Sequence, residues 1–307
     1  MKAAGPLGKV IEADSTRINP GDDYPARFTF GSGANSLIMM NRIAFFSEDE
    51  RKDELDAEGQ NALLRWADKN QLGQHSELLG WFTARRNAAV TELGRQGLTV
   101  RRFRAEPEWR LAVGLGNKAN PYEIGLSLHG TYGWPVIPAT SLKGLAAGWA
   151  VASGADHRDV RRVLGTPRLD VPPAPAPKYN PDDSERLAGE LLASRGTVCF
   201  LDAIPAAKPV DVQLDVLTPH VKPYYDDIAT GKSPLRPPAE YHNPVPVKFL
   251  TVRGTFAVDL YGEDPDDVDL AAGWLTGAAS ELGAGGKTAA GYGYLVMTPG
   301  PNGADSS

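Results

Sequence analysis

The chain carries one cysteine and five histidines in 307 residues, and each scarcity excludes some chemistry. A single thiol permits neither an internal disulfide nor a cysteine-cluster zinc site. Cys199 sits in the apolar run TVCFLDA, where it reads as a small buried hydrophobe rather than a nucleophile. The histidines, His75, His129, His157, His220 and His242, never recur at HxH or HxxxH spacing, so no pair is set to share a metal and no metal or cofactor is expected. Long apolar runs are missing too. No stretch approaches the ~20 residues of a membrane span, and the N-terminal MKAAGPLGKV lacks the apolar centre of a secretion signal, so the expected setting is cytoplasmic. Nor is there an excess of positive charge: 32 Lys and Arg against 38 Asp and Glu give −6. That argues against binding nucleic acid with the whole surface and leaves room for a local basic groove.

A Walker phosphate loop is absent, although LGAGGKTAAGYGY (282–294) imitates one. The Walker spacing needs a glycine five residues before Gly-Lys-Thr, and that position is Glu281. GxGxxG fails as well, because Thr288 stands at the third glycine. The order of elements is also reversed. A helix-compatible segment, DDVDLAAGWLTGAASEL, precedes the loop and strand-like YGYLVM follows it, so no helix N-terminus is available to hold phosphate.

What is present is enough core for one elaborated domain or two modest ones, with 42% hydrophobic residues. Residues 1–34 read as irregular, with turn signals in NPGDDYPARF and GSGAN. After the apolar SLIMMNRIAFF, residues 52–97 read as helical, with Leu63, Leu64, Trp66, Leu72, Leu78, Leu79 and Trp81 at mixed three- and four-residue spacings. RRFRAEPEWRLAVGLG is a strand candidate. A helix starts at ATSLKGLAAGWAVA behind the Pro138 breaker, with Thr140 or Ser141 as its cap. Proline-rich 165–181 reads as an excursion, and four β-type runs follow: GTVCFLDAI, VDVQLDVL, VPVKFLTV and GTFAVDLYG. The last two are separated at Arg253-Gly254 by hairpin spacing, and DDIATGKSPLRPPAEYHNP, between the second and third, reads as an exposed loop. A helix at 265–282, the glycine loop and a strand at 292–297 close the chain. The order strand, helix, strands, helix, strand predicts an α+β fold: a ferredoxin-like, RRM-like βαββαβ core with a helical N-terminal region and β-hairpin and loop insertions.

Three groups of residues could carry function. DVLTPHVKPYYDD (215–227) packs Asp215, His220, Tyr224, Tyr225, Asp226 and Asp227 together, either as a general base with its carboxylate or as an ordered loop. Residues 85–110 hold seven arginines against three glutamates, among them Arg101, Arg102 and Arg104. The guanidinium fork suits phosphate, so this stripe is a candidate RNA or partner surface, and solvated arginines are the other reading. Lys143 and Lys287 each lie beside glycine and a hydroxyl residue, where backbone can approach a ligand closely.

GLGNKANPYEIGLSLHGTYGWPVIPATSLKGLAAGWA resembles the segment of RAMP-superfamily CRISPR proteins in which an Ile-Pro-Gly-Ser-Ser-Leu-Lys-Gly turn leads into the first helix. Here Ala139-Thr140 stand where that family has Gly-Ser. GAGGKTAAGYG is similar to the superfamily's glycine-rich loop, matching at Lys287, Thr288, Gly291 and Gly293. With FLDAIP and DVLTPHVKPYY between them, the set most closely resembles the RAMP-type subunits of the Cmr (type III-B) effector complex. The resemblance divides the chain into an irregular segment 1–34, a helical region 35–104 packed on the core, a RAMP domain 105–298 and a flexible tail 299–307.

It implies a non-catalytic subunit that holds the 3′ region of the guide RNA and packs at one end of a filament in antiviral defence. The implied partners are guide RNA, target RNA in the assembled complex, and other Cmr RAMP and small helical subunits, with no membrane. The implied RNA-binding residues are Ser141, Lys143, Gly285, Gly286, Lys287, Thr288 and Tyr292, joined by Arg101, Arg102 and Arg104 of the stripe, with no catalytic residue. Two alternatives stay open: a RAMP-fold endoribonuclease acting on guide or target RNA through His220, Tyr224 or Asp226, and a scaffold that touches only protein.

Overall fold

The computed structural model describes residues 2–4, 35–42, 44–46, 57–70, 72, 75–116, 122, 124–166, 194–206, 208–218, 221–233, 235–239, 243–244 and 246–301. It mixes helices with antiparallel sheet, an α+β architecture, and it divides into two compact units through which the chain passes repeatedly. With elements numbered in chain order, one unit comprises Met1–His75, Ala112–Pro135 and Pro209–Arg253. The other comprises Ser76–Leu111, Val136–Lys208 and Gly254–Ser307.

The first unit contains β1 (Lys2–Ala4), α1 (Ser36–Arg42), β2 (Ala44–Phe46), α2 (Ala57–Asn70), β8 (Asp211–Leu217), α6 (Lys222–Ala229) and β9 (Val247–Arg253). β8 and β9 form an antiparallel ribbon from Asp211↔Arg253 to Leu217↔Val247, and α2 packs on it. The three- and four-residue spacing of Leu63, Leu64, Trp66 and Ala67 puts all four on a buried face, as the helical periodicity predicts. Polar side chains fix the register of helix on ribbon: Asp68 Oδ1 accepts the Leu214 N–H at 2.9 Å, and Lys248 Nζ donates to Asn61 Oδ1 at 3.0 Å.

The second unit contains α3 (Ser76–Arg95), β3 (Thr99–Pro107), α4 (Ala139–Ala152), α5 (His157–Leu164), β4 (Gly165–Thr166), β5 (Ser194–Arg195), β6 (Val198–Phe200), β7 (Ile204–Pro205), β10 (Phe256–Gly262), α7 (Pro265–Glu281) and β11 (Leu295–Pro299). Its sheet runs β11-β3-β10-β6, every pair antiparallel, with β7 also on β10. α7 starts where Asp264 Oδ1 accepts the Asp266 N–H at 2.9 Å and Pro265 occupies the first turn. It buries Val268, Ala271, Leu275, Ala278 and Ala279. α4 packs against it so closely that a Cβ on Gly277 would strike the Trp149 indole.

Several expectations change in three dimensions. The hairpin across Arg253-Gly254 does not form. β9 pairs along its whole length with β8, while β10 pairs with β3, β6 and β7, so long-range pairing overrides a favourable local turn. Neither Thr140 nor Ser141 caps α4. The N-cap is Pro138, which has no side-chain donor or acceptor, and the orphan N–H of Ala139 goes instead to Asp202 Oδ1 at 2.7 Å. The stretch expected to be an exposed loop opens within a helix, since its first four residues, Asp226–Ala229, belong to α6. There Asp227 is buried and accepts from Arg236 N at 3.0 Å, Nε at 2.7 Å and Nη2 at 2.7 Å. These bonds, side chain first and backbone second, hold its carboxyl far below the usual carboxylate range. Most of the proline-rich 165–181 excursion, His220, His242 and residues 302–307 lie outside the described residues.

Candidate nucleic-acid interface

The glycine loop joins α7 to β11 and closes on itself. Ala284 N–H donates to Gly293 O at 2.7 Å, and the loop turns over a short 3₁₀ segment, Thr288–Ala290, where Ala290 N–H donates to Lys287 O at 2.9 Å. Gly293 has φ 83°, and a Cβ there would run into the Ala284 carbonyl oxygen, so this glycine lets the two arms of the loop touch. Lys287 has φ 62°, the only left-handed non-glycine residue among those described, a conformation that costs on the order of 1–3 kcal/mol and needs surrounding structure to hold it. Gly285 is exposed, and Gly286, Lys287 and Thr288 are half-buried.

The loop is pinned to the end of β3. Glu108 N–H donates to Tyr294 O at 2.9 Å and Gly293 N–H donates to Arg110 O at 2.8 Å. Between those two bonds the side chain of Trp109 lies with its ring centroid 4.6 Å from that of Tyr292, tilted by 38°, and the Arg110 guanidinium stands 5.3 Å from the Trp109 ring centre. Tyr292, one of the expected RNA-binding residues, is buried at 1% exposure with its ring against Trp109. Trp109 itself is 46% exposed. The sequence offers a signal for Trp109 in hindsight: an EPEWRL stretch at a strand end places Trp beside Arg outside any apolar alternation.

Ser141 and Lys143 sit half-buried on the first turns of α4, and no hydrogen bond or ion pair joins them to the loop among the described residues. The arginine stripe does not form one surface, because successive strand residues point to opposite faces. Arg101 reaches α7, where its Nε and Nη2 hold Asp269 at 2.5 and 2.8 Å. Arg102 turns the other way. It holds Asp259 at 2.9 Å through Nε and Asn87 at 2.6 Å through Nη2, and Arg86 holds the second oxygen of Asp259 at 2.7 Å. Asp259 is 1% exposed, so Arg86 and Arg102 serve as its buried counter-ions. Arg104 is exposed and makes no ion pair among the described residues.

Two of the remaining polar candidates are occupied. His129 Nδ1 accepts the Thr131 and Tyr132 N–H groups at 3.2 and 3.3 Å, and Asp226 is held by Lys222 at 2.6 Å. Cys199 is half-buried rather than buried. It pairs across strands with Tyr261 and lines a cavity of about 560 Å³, with the Arg195 guanidinium 3.7 Å from its Sγ. In the same cavity Asp267 is bound by Arg162 at 2.9 Å and by the Thr197 hydroxyl at 2.7 Å. Burial would raise its pKa, and those bonds reverse the effect and lower it. Among the described residues no group of three or more His, Cys, Asp or Glu is placed to hold a metal, and no helix is long and apolar enough to cross a membrane.

No family model matches the chain. Among curated proteins, the CRISPR system Cmr subunit Cmr6 of Pyrococcus furiosus is 30% identical to it, over 61% of this chain and 65% of its own length. The chain is similar to Cmr6. The match therefore spans just under two thirds of that relative. Among solved structures, a chain of the type III-B Cmr-β complex bound to cognate target RNA superposes with a TM-score of 0.54 at 15% identity, covering 95% of this chain and 88% of its own. This is a likeness of fold. The crystal structure of Cmr6 from Pyrococcus furiosus aligns over 66% of this chain and 98% of its own at 26% identity, with a TM-score of 0.35. The resemblance to RAMP-type Cmr subunits read from the Ser-Leu-Lys-Gly helix start and the glycine loop thus holds.

Proposed function

We propose that the chain is a non-catalytic RNA-binding subunit of a type III-B (Cmr) CRISPR effector complex, holding the 3′ region of the guide RNA and packing at one end of the filament. Its partners in this reading are guide RNA, target RNA in the assembled complex, and the other Cmr RAMP and small helical subunits, in the cytoplasm. The observation that carries it is the sequence likeness to Cmr6 together with a self-closed glycine loop that holds Lys287 in a left-handed conformation. A fixed loop with a lysine at its turn suits phosphate, because backbone and charge are in place before the ligand arrives.

The sheet order supports a ferredoxin-like core. Taking β3, β6 with β7, β10 and β11 as the four strands and α4 and α7 as the two helices gives βαββαβ with the last strand beside the first. Two features favour a role without chemistry: His129 spends Nδ1 on backbone N–H groups, and Asp226 is neutralised by Lys222.

The test is ultraviolet crosslinking of guide RNA in complexes reconstituted with Lys287→Ala or Gly286→Asp subunits. The aspartate places a carboxylate where phosphate is expected, so crosslinking or incorporation should fall while the isolated subunit melts as the parent does. Unchanged assembly and crosslinking with Gly286→Asp refute the RNA-binding reading and leave a protein-only scaffold.

A further inference from the structure

We propose that Trp109 is a base-stacking platform: an unpaired RNA base lies on its exposed indole while the adjoining phosphate lies on the glycine loop beside Lys287. The inference rests on the RNA-binding reading above and adds to it the group that recognises the base.

Trp109 is held through its two flanking residues, one ring and one guanidinium. The residues on either side of it are tied to the loop, Glu108 donating its N–H to Tyr294 O at 2.9 Å and Arg110 O accepting from Gly293 N–H at 2.8 Å. The buried Tyr292 ring backs the indole at 4.6 Å, and the Arg110 guanidinium is 5.3 Å from its centre. A large apolar side chain fixed this firmly and still 46% exposed is preorganised, so a planar ligand would cost it little conformational freedom. Aromatic faces accept any base, and the Arg110 guanidinium that stands over the ring adds cation–π attraction. The charges select the direction of the strand. Glu106 and Glu108 are exposed where β3 ends and repel phosphate, whereas Lys287 lies on the loop, which confines the backbone to the loop side. Trp81 is more exposed, at 66%, but it stands within helix α3, and among the described residues no ring backs it.

The experiment measures binding of the full chain to a short adenosine homopolymer and to an abasic strand with the same phosphates, using Trp109→Leu, Trp109→Phe and Lys287→Ala. Leucine keeps apolar cover on Tyr292 but has no aromatic face. Base–aromatic stacking is expected to make Trp109→Leu lose about fivefold or more on the adenosine strand and nothing on the abasic one, with Trp109→Phe staying within about twofold of the parent. Lys287→Ala should weaken both strands. Trp109→Leu binding adenosine as the parent does, while Lys287→Ala still weakens it, overturns the stacking role and leaves the loop reading standing. Equal losses by Trp109→Leu on both strands overturn it too, showing that the indole only supports the loop. A parent and Lys287→Ala that bind alike, or a parent that binds neither strand, remove the RNA-binding reading and the platform with it.

Discussion

Neutralising Asp259 tests whether the arginine stripe is structural or functional. Its carboxylate is 1% exposed and bridges Arg86 at 2.7 Å and Arg102 at 2.9 Å, whose side chains are only 11% and 10% exposed. Asp259→Asn preserves shape but leaves two like charges facing each other out of water. Breaking a buried pair in this way costs about 3–5 kcal/mol, because the surviving charge loses its compensation. At about 2–4 °C per kcal/mol for a domain of this size, the melting temperature should fall by roughly 6–20 °C. Arg102→Gln should cost less, about 1.5–3 kcal/mol, since Arg86 still serves the carboxylate. Arg104→Gln, on an exposed residue with no ion pair among the described residues, should stay within about 0.5 kcal/mol. Calorimetric melting of the four proteins at neutral pH measures all three. An unmoved Asp259→Asn, or an Arg104→Gln as damaging as Arg102→Gln, refutes the division of the stripe into counter-ion and free cation.

The loop should separate stability from binding. Gly293→Ala drives a methyl into the Ala284 carbonyl at a left-handed φ and should cost about 2 kcal/mol or more, whereas Lys287→Gly relieves a left-handed lysine and should melt at or slightly above the parent while retaining less RNA. A Gly293→Ala protein that melts unchanged sinks that account. Asp227 sets an acid limit: its folded pKa is depressed by Arg236, so its contribution is complete above the unfolded value of about 3.9 and is lost as pH falls through the folded value. The stability gap between parent and Asp227→Asn should therefore be flat at neutral and mildly acidic pH and close below about pH 4 in pH-resolved urea titrations. A gap that closes at higher pH contradicts the assignment.

Local pattern was legible wherever one side of an element meets a core. The spacing of Leu63, Leu64 and Trp66 announces α2, Asp264-Pro265 announces the start of α7, and strand propensity marks β8, β9 and β10 in place. The loop could be recognised as something other than a nucleotide site by counting to Glu281 and by the helix that precedes it. What misled was adjacency. Arg253-Gly254 looks like a hairpin turn, Thr140 and Ser141 look like caps, and Arg101, Arg102 and Arg104 look like one basic surface, because a local pattern contains only neighbours in sequence.

The sequence by itself determined the periodicities, most of the order of helices and strands, the absence of a Walker loop and the two motifs in which a resemblance to Cmr proteins is read, because all of these are written in residues close together along the chain. Tertiary structure alone decided partnership. Strand pairing sent β9 to β8 and β10 to β3, brought Asp202 to the start of α4, and drew Arg86 and Arg102 onto Asp259 from elements far apart in sequence. It also turned Tyr292 inward and left Trp109 facing solvent. The physical reason is that hydrogen bonds, ion pairs and ring contacts act over a few ångströms of space, and only the folded chain sets which residues come that close.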